Sequence, residues 1–228
     1  MLEEYEQQQI KKQVNRLHEE QQQITRLYEE GKKLYEAMNY DQASEVLSDV
    51  VWSYYAKDEI RENAFKMLKA MAIDNGLAKS KCGEIYAEGG LGWIERFSLI
   101  LNGFTIVEPD YKIATDYFDE AIKRGIVEAA EEAVKLYYPE HFRHKEYANT
   151  RKSLEYCIKG IRMGSSYCLW KMFEYFNYEE IYPRELMKMM LSNEDNRAMA
   201  YAEMLDKRGF FDKLYQTYLE RENELRRN

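Results

Sequence analysis

Two histidines are the closest approach to a metal site in this sequence. His141 and His144 lie in the segment Pro-Glu-His-Phe-Arg-His, and a three-residue step can place both side chains on one face of a helix. A metal site needs further ligands, and neither a cysteine nor another histidine cluster is near in the sequence. The alternative is a polar loop between two helices. We therefore predict no metal site and no bound cofactor.

A glycine-rich stretch, Glu88-Gly-Gly-Leu-Gly-Trp, invites comparison with a phosphate-binding loop. Such loops follow a strand and end in Lys-Ser or Lys-Thr. This stretch follows a predicted helix instead, and neither dipeptide comes after it. It is better interpreted as a turn between helices.

The three cysteines, Cys82, Cys157 and Cys168, are an odd number without close pairing. One of them could act as a nucleophile with a distant histidine. All three fall at helix positions typical of a buried core, where a free thiol behaves as a small apolar group. We predict reduced thiols in a cytoplasmic protein and no catalytic residue.

Charge and hydropathy narrow the classes of partner. The net charge is 33 − 41 = −8, which argues against general nucleic-acid binding but leaves a local basic patch open. No apolar run approaches the ~20 residues needed to cross a membrane. The polar start, Met-Leu-Glu-Glu-Tyr-Glu, predicts no secretory signal.

Residues 1–30 are rich in Gln and Glu and contain neither Gly nor Pro, which predicts one long helix. Apolar residues at 10, 14, 17, 24 and 28 follow heptad spacing, with the polar Gln21 interrupting the series. This pattern predicts a possible homodimer through residues 10–28. The alternatives are that the helix lies against the rest of the chain or projects into solvent.

From Gly31 the sequence predicts a series of short helices and no strands. Gly31 to Leu47 reads as helix, turn and helix, with Asp41 as the N-cap of the second helix. Further helices are predicted at 44–56, 58–74, 77–88, 110–124, 127–138, 147–163, 166–178, 183–191, 195–208 and 210–226.

An internal repeat organises these helices. Asp110 to Gly125 is a helix with small residues on one face, closed by Gly, and a similar unit ends at Gly164, 39 residues further on. Tyr117 aligns with Tyr156, and an earlier unit leads to Gly76. A glycine just past a helix can adopt the left-handed conformation that turns the chain, and small residues such as Gly160 allow helices to approach closely.

At these residues the chain resembles the Sel-one-like branch of tetratricopeptide repeats. Gly83, Tyr86 and Gly89 match the spacing of the first half of that repeat, and Asp110 to Gly125 matches the second half. The resemblance covers about residues 60–180. It implies an all-α fold, a short α-solenoid of antiparallel helix hairpins over 31–228, preceded by the helix of 1–30.

Residues 91–107 depart from the family pattern as an insertion between the two halves of a repeat. Insertions in repeats often lie on the binding face. The alternative is a helix folded back to complete the core.

The resemblance implies a protein–protein interaction scaffold or adaptor, with a protein or peptide held on the concave surface. A regulatory sensor of a small peptide or ligand is the alternative, and an enzyme is less favoured because no catalytic constellation is present. The partner-binding residues that we predict are Tyr86, Trp93, Arg96, Tyr137, Lys171 and Tyr175.

Overall fold

The structure is a computed structural model, and it describes residues 2–89, 107–138, 147–175, 183–192 and 194–227, with side chains from residue 7 on. Every regular element in these ranges is an α-helix. In chain order the helices are α1 (Leu2–Glu36), α2 (Tyr40–Trp52), α3 (Asp58–Met71), α4 (Gly76–Glu88), α5 (Tyr111–Lys123), α6 (Val127–Tyr137), α7 (Thr150–Arg162), α8 (Ser166–Tyr175), α9 (Arg184–Leu191), α10 (Asp195–Asp206) and α11 (Phe210–Leu225). The predicted all-α class is confirmed, and most predicted helices lie within a few residues of the observed ones.

The first turn of α2 differs from the prediction. The helix begins at Tyr40, with Asn39 as its N-cap residue, so the prediction of Asp41 as the cap is wrong. Asp41 instead accepts a hydrogen bond at Oδ1 from the side-chain amide of Asn75, at 2.7 Å. The helix begins earlier than predicted, and the side chain of Asn39 makes no capping hydrogen bond.

Gly31 does not start a new helix. It lies inside α1, so the helix predicted for 1–30 and the first helix of the hairpin predicted from Gly31 are continuous up to Glu36. A Cβ at position 31 would lie 2.7 Å from Cδ2 of Leu47, well inside van der Waals contact. The glycine therefore allows α1 and α2 to pack closely.

The described residues divide into two compact units, Met1–Glu120 and Ala121–Asn228. In the first unit, α1 packs on α2 and α3, and α4 packs on α2 and α3, so that each helix contacts its neighbours in sequence. The core of this unit holds Leu47, Phe65, Leu68 and Ile85, and the C-terminal half of α1 closes it with partly buried residues such as Leu27.

The second unit is also built from neighbouring helices. The pairs α6–α7, α7–α8, α9–α10 and α10–α11 pack on one another, and α10 also contacts α7 and α8. Its largest fully buried side chains are Leu136, Leu154, Leu169, Met172, Phe173, Leu186 and Phe211.

Two of the predicted glycine turns are confirmed and one is wrong. Gly125 and Gly164 have φ of +86° and +97°, the left-handed region that glycine adopts without a steric penalty. Gly76 is the first residue of α4 and has no positive φ. There the turn ends at Asn75, whose side chain caps α4 by accepting a hydrogen bond from the Ala78 amide at 2.8 Å.

Within the described ranges, no helix has the length and apolar character required to cross a membrane.

Candidate functional site

The same set of contacts, here called a joint, occurs once in each unit. In the first, the backbone N–H of Asp110 donates to the carbonyl of Tyr86 at 2.8 Å; in the second, the N–H of Asn149 donates to the carbonyl of Tyr137 at 2.9 Å. Each donor also caps the helix that follows it, because its side-chain oxygen accepts from the amide three residues on, at 2.9 and 3.0 Å. Asp110 and Asn149, which lie 39 residues apart, therefore make equivalent contacts in the two units.

A pair of stacked tyrosines closes each joint. The rings of Tyr86 and Tyr117 stack at 5.6 Å, and those of Tyr137 and Tyr156 at 5.8 Å. Tyr137 is only 6% exposed. Two of the residues predicted to bind a partner, Tyr86 and Tyr137, thus pack against tyrosines of their own units, and neither ring belongs to the candidate site.

Lysines cover the second stack on both sides. The Nζ of Lys152 lies 4.7 Å from the ring centroid of Tyr137, and the Nζ of Lys159 lies 4.4 Å from that of Tyr156. Such cation–π contacts contribute about 0.5–1 kcal/mol each where they are exposed. They fix the surface of α7 beside the joint.

The candidate site is the face formed by α6 and α8 in the second unit. Its centre is Glu174, whose Oε2 accepts from the hydroxyl of Tyr138 at 2.9 Å and from the ammonium of Lys171 at 2.7 Å. The same ammonium lies 4.5 Å from the Tyr138 ring. Tyr138, the residue that follows α6, and two residues of α8 therefore form one neutral polar and aromatic cluster, although Tyr138 and Glu174 are 36 positions apart in the sequence.

Tyr167 extends this cluster along α8. The ammonium groups of Lys135 and Lys171 approach its ring at 5.3 and 5.8 Å, and Lys135 is held by Glu132 at 2.5 Å. Burial, followed by the charge of Glu132, raises the pKa of Tyr167, so its hydroxyl stays protonated and can donate a hydrogen bond. We call Glu132, Lys135, Tyr138, Tyr167, Lys171 and Glu174 the tyrosine–lysine face.

A groove of about 280 Å³ adjoins the tyrosine–lysine face and shares Tyr167 with it. Its walls come from α8, α9 and α10: Ser166, Tyr167, Leu169, Trp170, Met190, Asp195 and Ala198. Trp170 stays 36% exposed and stacks on Phe173 at 6.5 Å, while Asp195 is exposed at the rim. Among the residues that the structure describes, Asp195 has no ion-pair partner.

The glycine at position 164 and the serine after it orient α8. Gly164 turns the chain, and the Oγ of Ser165 donates to Oε1 of Glu131 on α6 at 2.6 Å while it accepts from the Cys168 amide at 3.0 Å. This serine therefore caps α8 and ties it to α6. The tyrosine–lysine face depends on that alignment.

Tyr175 supports the face from beneath. Its ring meets that of Tyr138 edge to face at 5.2 Å, and burial raises the pKa of its hydroxyl. Of the six predicted partner-binding residues, only Lys171 lies on the face itself. Trp93 and Arg96, with the rest of the 91–107 insertion up to residue 106, lie outside the described residues, as do His141 and His144.

The predictions did not include Tyr138, Tyr167 or Trp170. A signal for part of the cluster was present, because Tyr167, Lys171 and Glu174 follow one another at steps of four and three, which places them on one face of a helix. Tyr138 carries no such signal, since it comes one residue after the end of α6.

Nothing in the described part of the chain groups three or more His, Cys, Asp or Glu side chains as a metal site would. The three cysteines are free and fully buried, as predicted for core thiols. Burial raises the pKa of Cys82 and Cys168 to about 12, and that of Cys157 in the same direction.

We expect stability to fall at alkaline pH because of these thiols. In the unfolded chain a thiol loses its proton from about pH 9, whereas Cys82 and Cys168 keep theirs in the fold until about pH 12. Between these values the unfolded state binds fewer protons, so the free energy of unfolding falls by up to about 1.4 kcal/mol per pH unit for each thiol.

Denaturant unfolding at about pH 8 and about pH 11 measures this slope. A variant with alanine at all three positions should show a shallower fall, and what remains includes the share of Tyr117, whose pKa burial also raises to about 12. Rapid reaction of the folded protein with a thiol reagent at neutral pH would contradict the burial on which this prediction rests.

Comparison with protein-family models, with curated proteins and with solved structures finds no match for this chain. Any function assigned to the chain therefore rests on the geometry of the tyrosine–lysine face and its groove.

Proposed function

We propose that this chain is a protein-interaction scaffold, built as a short α-solenoid of tetratricopeptide-like hairpins, whose tyrosine–lysine face and groove bind a peptide segment of a partner protein. The repeated Tyr86–Asp110 and Tyr137–Asn149 joints support the repeat architecture. Helix repeats of this kind present extended surfaces to partners. Such a surface needs no catalytic group.

The observation that carries the proposal is the groove beside Trp170. An exposed tryptophan at the edge of a partly apolar recess is the type of residue that dominates binding energy in protein interfaces. The recess, about 280 Å³, lies just below the roughly 300–1,000 Å³ typical of small-molecule pockets. Its size suits one apolar side chain of a peptide better than a whole ligand.

The charges around the groove define the rest of the partner. Asp195 at the rim favours a lysine or arginine next to the apolar anchor. Beside Glu174, the protonated hydroxyl of Tyr167 and the remaining N–H groups of the Lys171 ammonium can donate to the peptide backbone. The expected ligand is thus a short segment with a Leu, Met or Phe anchor beside a basic residue.

Selection of a random peptide library on the full chain, followed by fluorescence polarisation of the enriched peptides, tests this function. We expect enriched peptides to pair an apolar anchor with Lys or Arg. Trp170→Ala and Asp195→Lys should each weaken binding at least tenfold, which corresponds to about 1.4 kcal/mol. The matched control is Tyr54→Ala, which removes a 56% exposed aromatic ring from the first unit.

Circular dichroism must show that all three variants keep their helical content. If no peptide is enriched, or if binding is indifferent to both groove variants, the assignment of this surface is wrong.

A further inference from the structure

The N-terminal half of α1 carries an apolar stripe that no described residue covers. Ile10, Val14 and Leu17 are 59%, 56% and 45% exposed, at steps of four and three along one face of the helix. Scattered exposed apolar residues are ordinary. Three in register on one helix face mark a surface whose burial against a partner lowers the free energy of the system.

The stripe continues an interface already formed within the chain. On the same face, Ile24 and Tyr28 pack against the core of the first unit, under α2 and α3. Between the two parts lies Gln21, beside the loop that joins α2 to α3, since Gln21 and Lys57 line a common hollow. The heptad series predicted for 10–28 is thus divided: its second half is internal, and its first half is bare.

A second copy of this chain fits the stripe poorly. A parallel copy would enter the volume that α2 and α3 fill from Ile24 onward. An antiparallel copy that sets Ile10 against Val14 brings Lys11 against Lys11 of the copy, and like charges beside such a seam oppose pairing. If the antiparallel copy is shifted by one heptad along α1, its helix again overlaps with the volume that α2 and α3 fill.

The charges beside the stripe select an acidic partner. Between Ile10 and Leu17 the sequence carries Lys11, Lys12 and Arg16 and no acidic residue, within a chain of net charge −8. Arg16 is paired with Glu20 of the same helix at 2.9 Å, so the positive charge beside the stripe comes from the two lysines. Past Leu17, a hollow of about 330 Å³ is lined by His18, Gln21, Gln22, Thr25, Arg26 and Lys57. Arg26 and Lys57 make no ion pair with any residue that the structure describes.

We propose that the exposed half of α1 is a second docking surface, for an acidic amphipathic helix of another protein. The helix lays its apolar side chains on Ile10, Val14 and Leu17 and places carboxylates beside Lys11 and at the Arg26–Lys57 hollow. A helix that runs in the same direction as α1 also brings the negative end of its dipole to this hollow. This surface shares no residue with the groove beside Trp170, so the chain can join two partners.

Fluorescence anisotropy of two synthetic helical peptides with the full chain tests the proposal. Both peptides are about 20 residues long, above the length at which isolated helices become marginal, with leucine at steps of three and four. One carries glutamate beside the leucines and the other carries lysine. We expect the glutamate peptide to bind at least tenfold more tightly, with the difference shrinking as salt is added.

Leu17→Ser should weaken binding of the glutamate peptide at least tenfold, and Lys57→Glu several-fold. Each has a matched control elsewhere in the first unit: Ile73→Ser at a site 69% exposed, and Lys66→Glu on α3, both expected to leave binding unchanged. Leu17 and Lys57 are exposed, so neither variant removes a core contact.

Three results would overturn the proposal. They are equal binding of the two peptides, binding that ignores both Leu17→Ser and Lys57→Glu, and failure of the glutamate peptide to bind. Sedimentation of the chain alone adds a fourth, because a dimer that Leu17→Ser converts to monomer would assign the stripe to a second copy.

Discussion

Replacing Phe118 with alanine is expected to lower the free energy of unfolding of the first unit by about 3–5 kcal/mol. The Phe118 side chain is 1% exposed and is one of the largest fully buried groups in the described structure. Its ring lies directly on Gly83 of α4, where a Cβ would come within 2.6 Å of Cε1. Truncation therefore removes apolar burial and leaves a cavity that neighbouring backbone cannot fill.

Gly83 provides a test of that contact. Gly83→Ala alone should destabilise by about 1–3 kcal/mol, because the new methyl group overlaps the ring. In the Phe118→Ala background the overlap is gone, and the higher helix propensity of alanine should make the same change neutral or stabilising. This sign reversal in a double-mutant cycle is the measurement that identifies the pair.

Ile113→Ala is the matched control, since it shortens an apolar residue of the same helix that is 38% exposed. Its effect should stay within about 1 kcal/mol. Denaturant unfolding followed by circular dichroism gives the values. Because the chain holds two compact units, hydrogen exchange of α4 and α5 peptides should accompany it to locate the loss. Additive effects of Gly83→Ala and Phe118→Ala would show that the two sites do not touch as described.

The second large effect is expected at Gly160, the point where α6, α7 and α8 meet. A Cβ there would lie 2.2 Å from Sγ and 2.9 Å from Cβ of Cys168, and 3.4 Å from Cβ of Ala130. Cys168 is fully buried and cannot swing into solvent. Gly160→Ala should therefore destabilise the second unit by about 2–3 kcal/mol, although alanine is normally the better helix former.

A second substitution, at Cys168, tests whether its sulfur atom causes this loss of stability. Cys168→Ala alone leaves a small cavity and should cost about 1 kcal/mol, but in the Gly160→Ala background it should recover part of the lost stability. Cys168 also lies one residue after Tyr167, so the strain of Gly160→Ala should displace α8 and weaken peptide binding at the groove beside Trp170. Full stability of Gly160→Ala, or no recovery in the double variant, would disprove the close approach of the helices.

The sequence could predict some of the residues that position the candidate site, but not the contacts that form it. The repeat alignment matched Tyr117 with Tyr156, and in the structure each stacks on another tyrosine, Tyr86 or Tyr137. The alignment also identified Gly160 as a small residue that lets helices approach, and it does lie against Cys168. It did not show that Tyr137 would be buried by its stack, nor that the tyrosine next to it, Tyr138, would carry the polar contacts. Two adjacent residues of the same type have nearly the same sequence signal.

The helices and the turns at Gly125 and Gly164 could be predicted from sequence, because helical hydrogen bonds join residues four apart and a left-handed glycine acts on its own neighbours. The buried thiols could be predicted too, through their spacing on the helices. Tertiary packing, in contrast, was needed to learn which rings form the core and which form a surface. Contacts such as Tyr138 with Glu174 and Lys171 join segments more than 30 residues apart, and the packing of whole helices sets them. The same packing divided the α1 heptads into a covered half and a bare half, which spacing alone cannot distinguish.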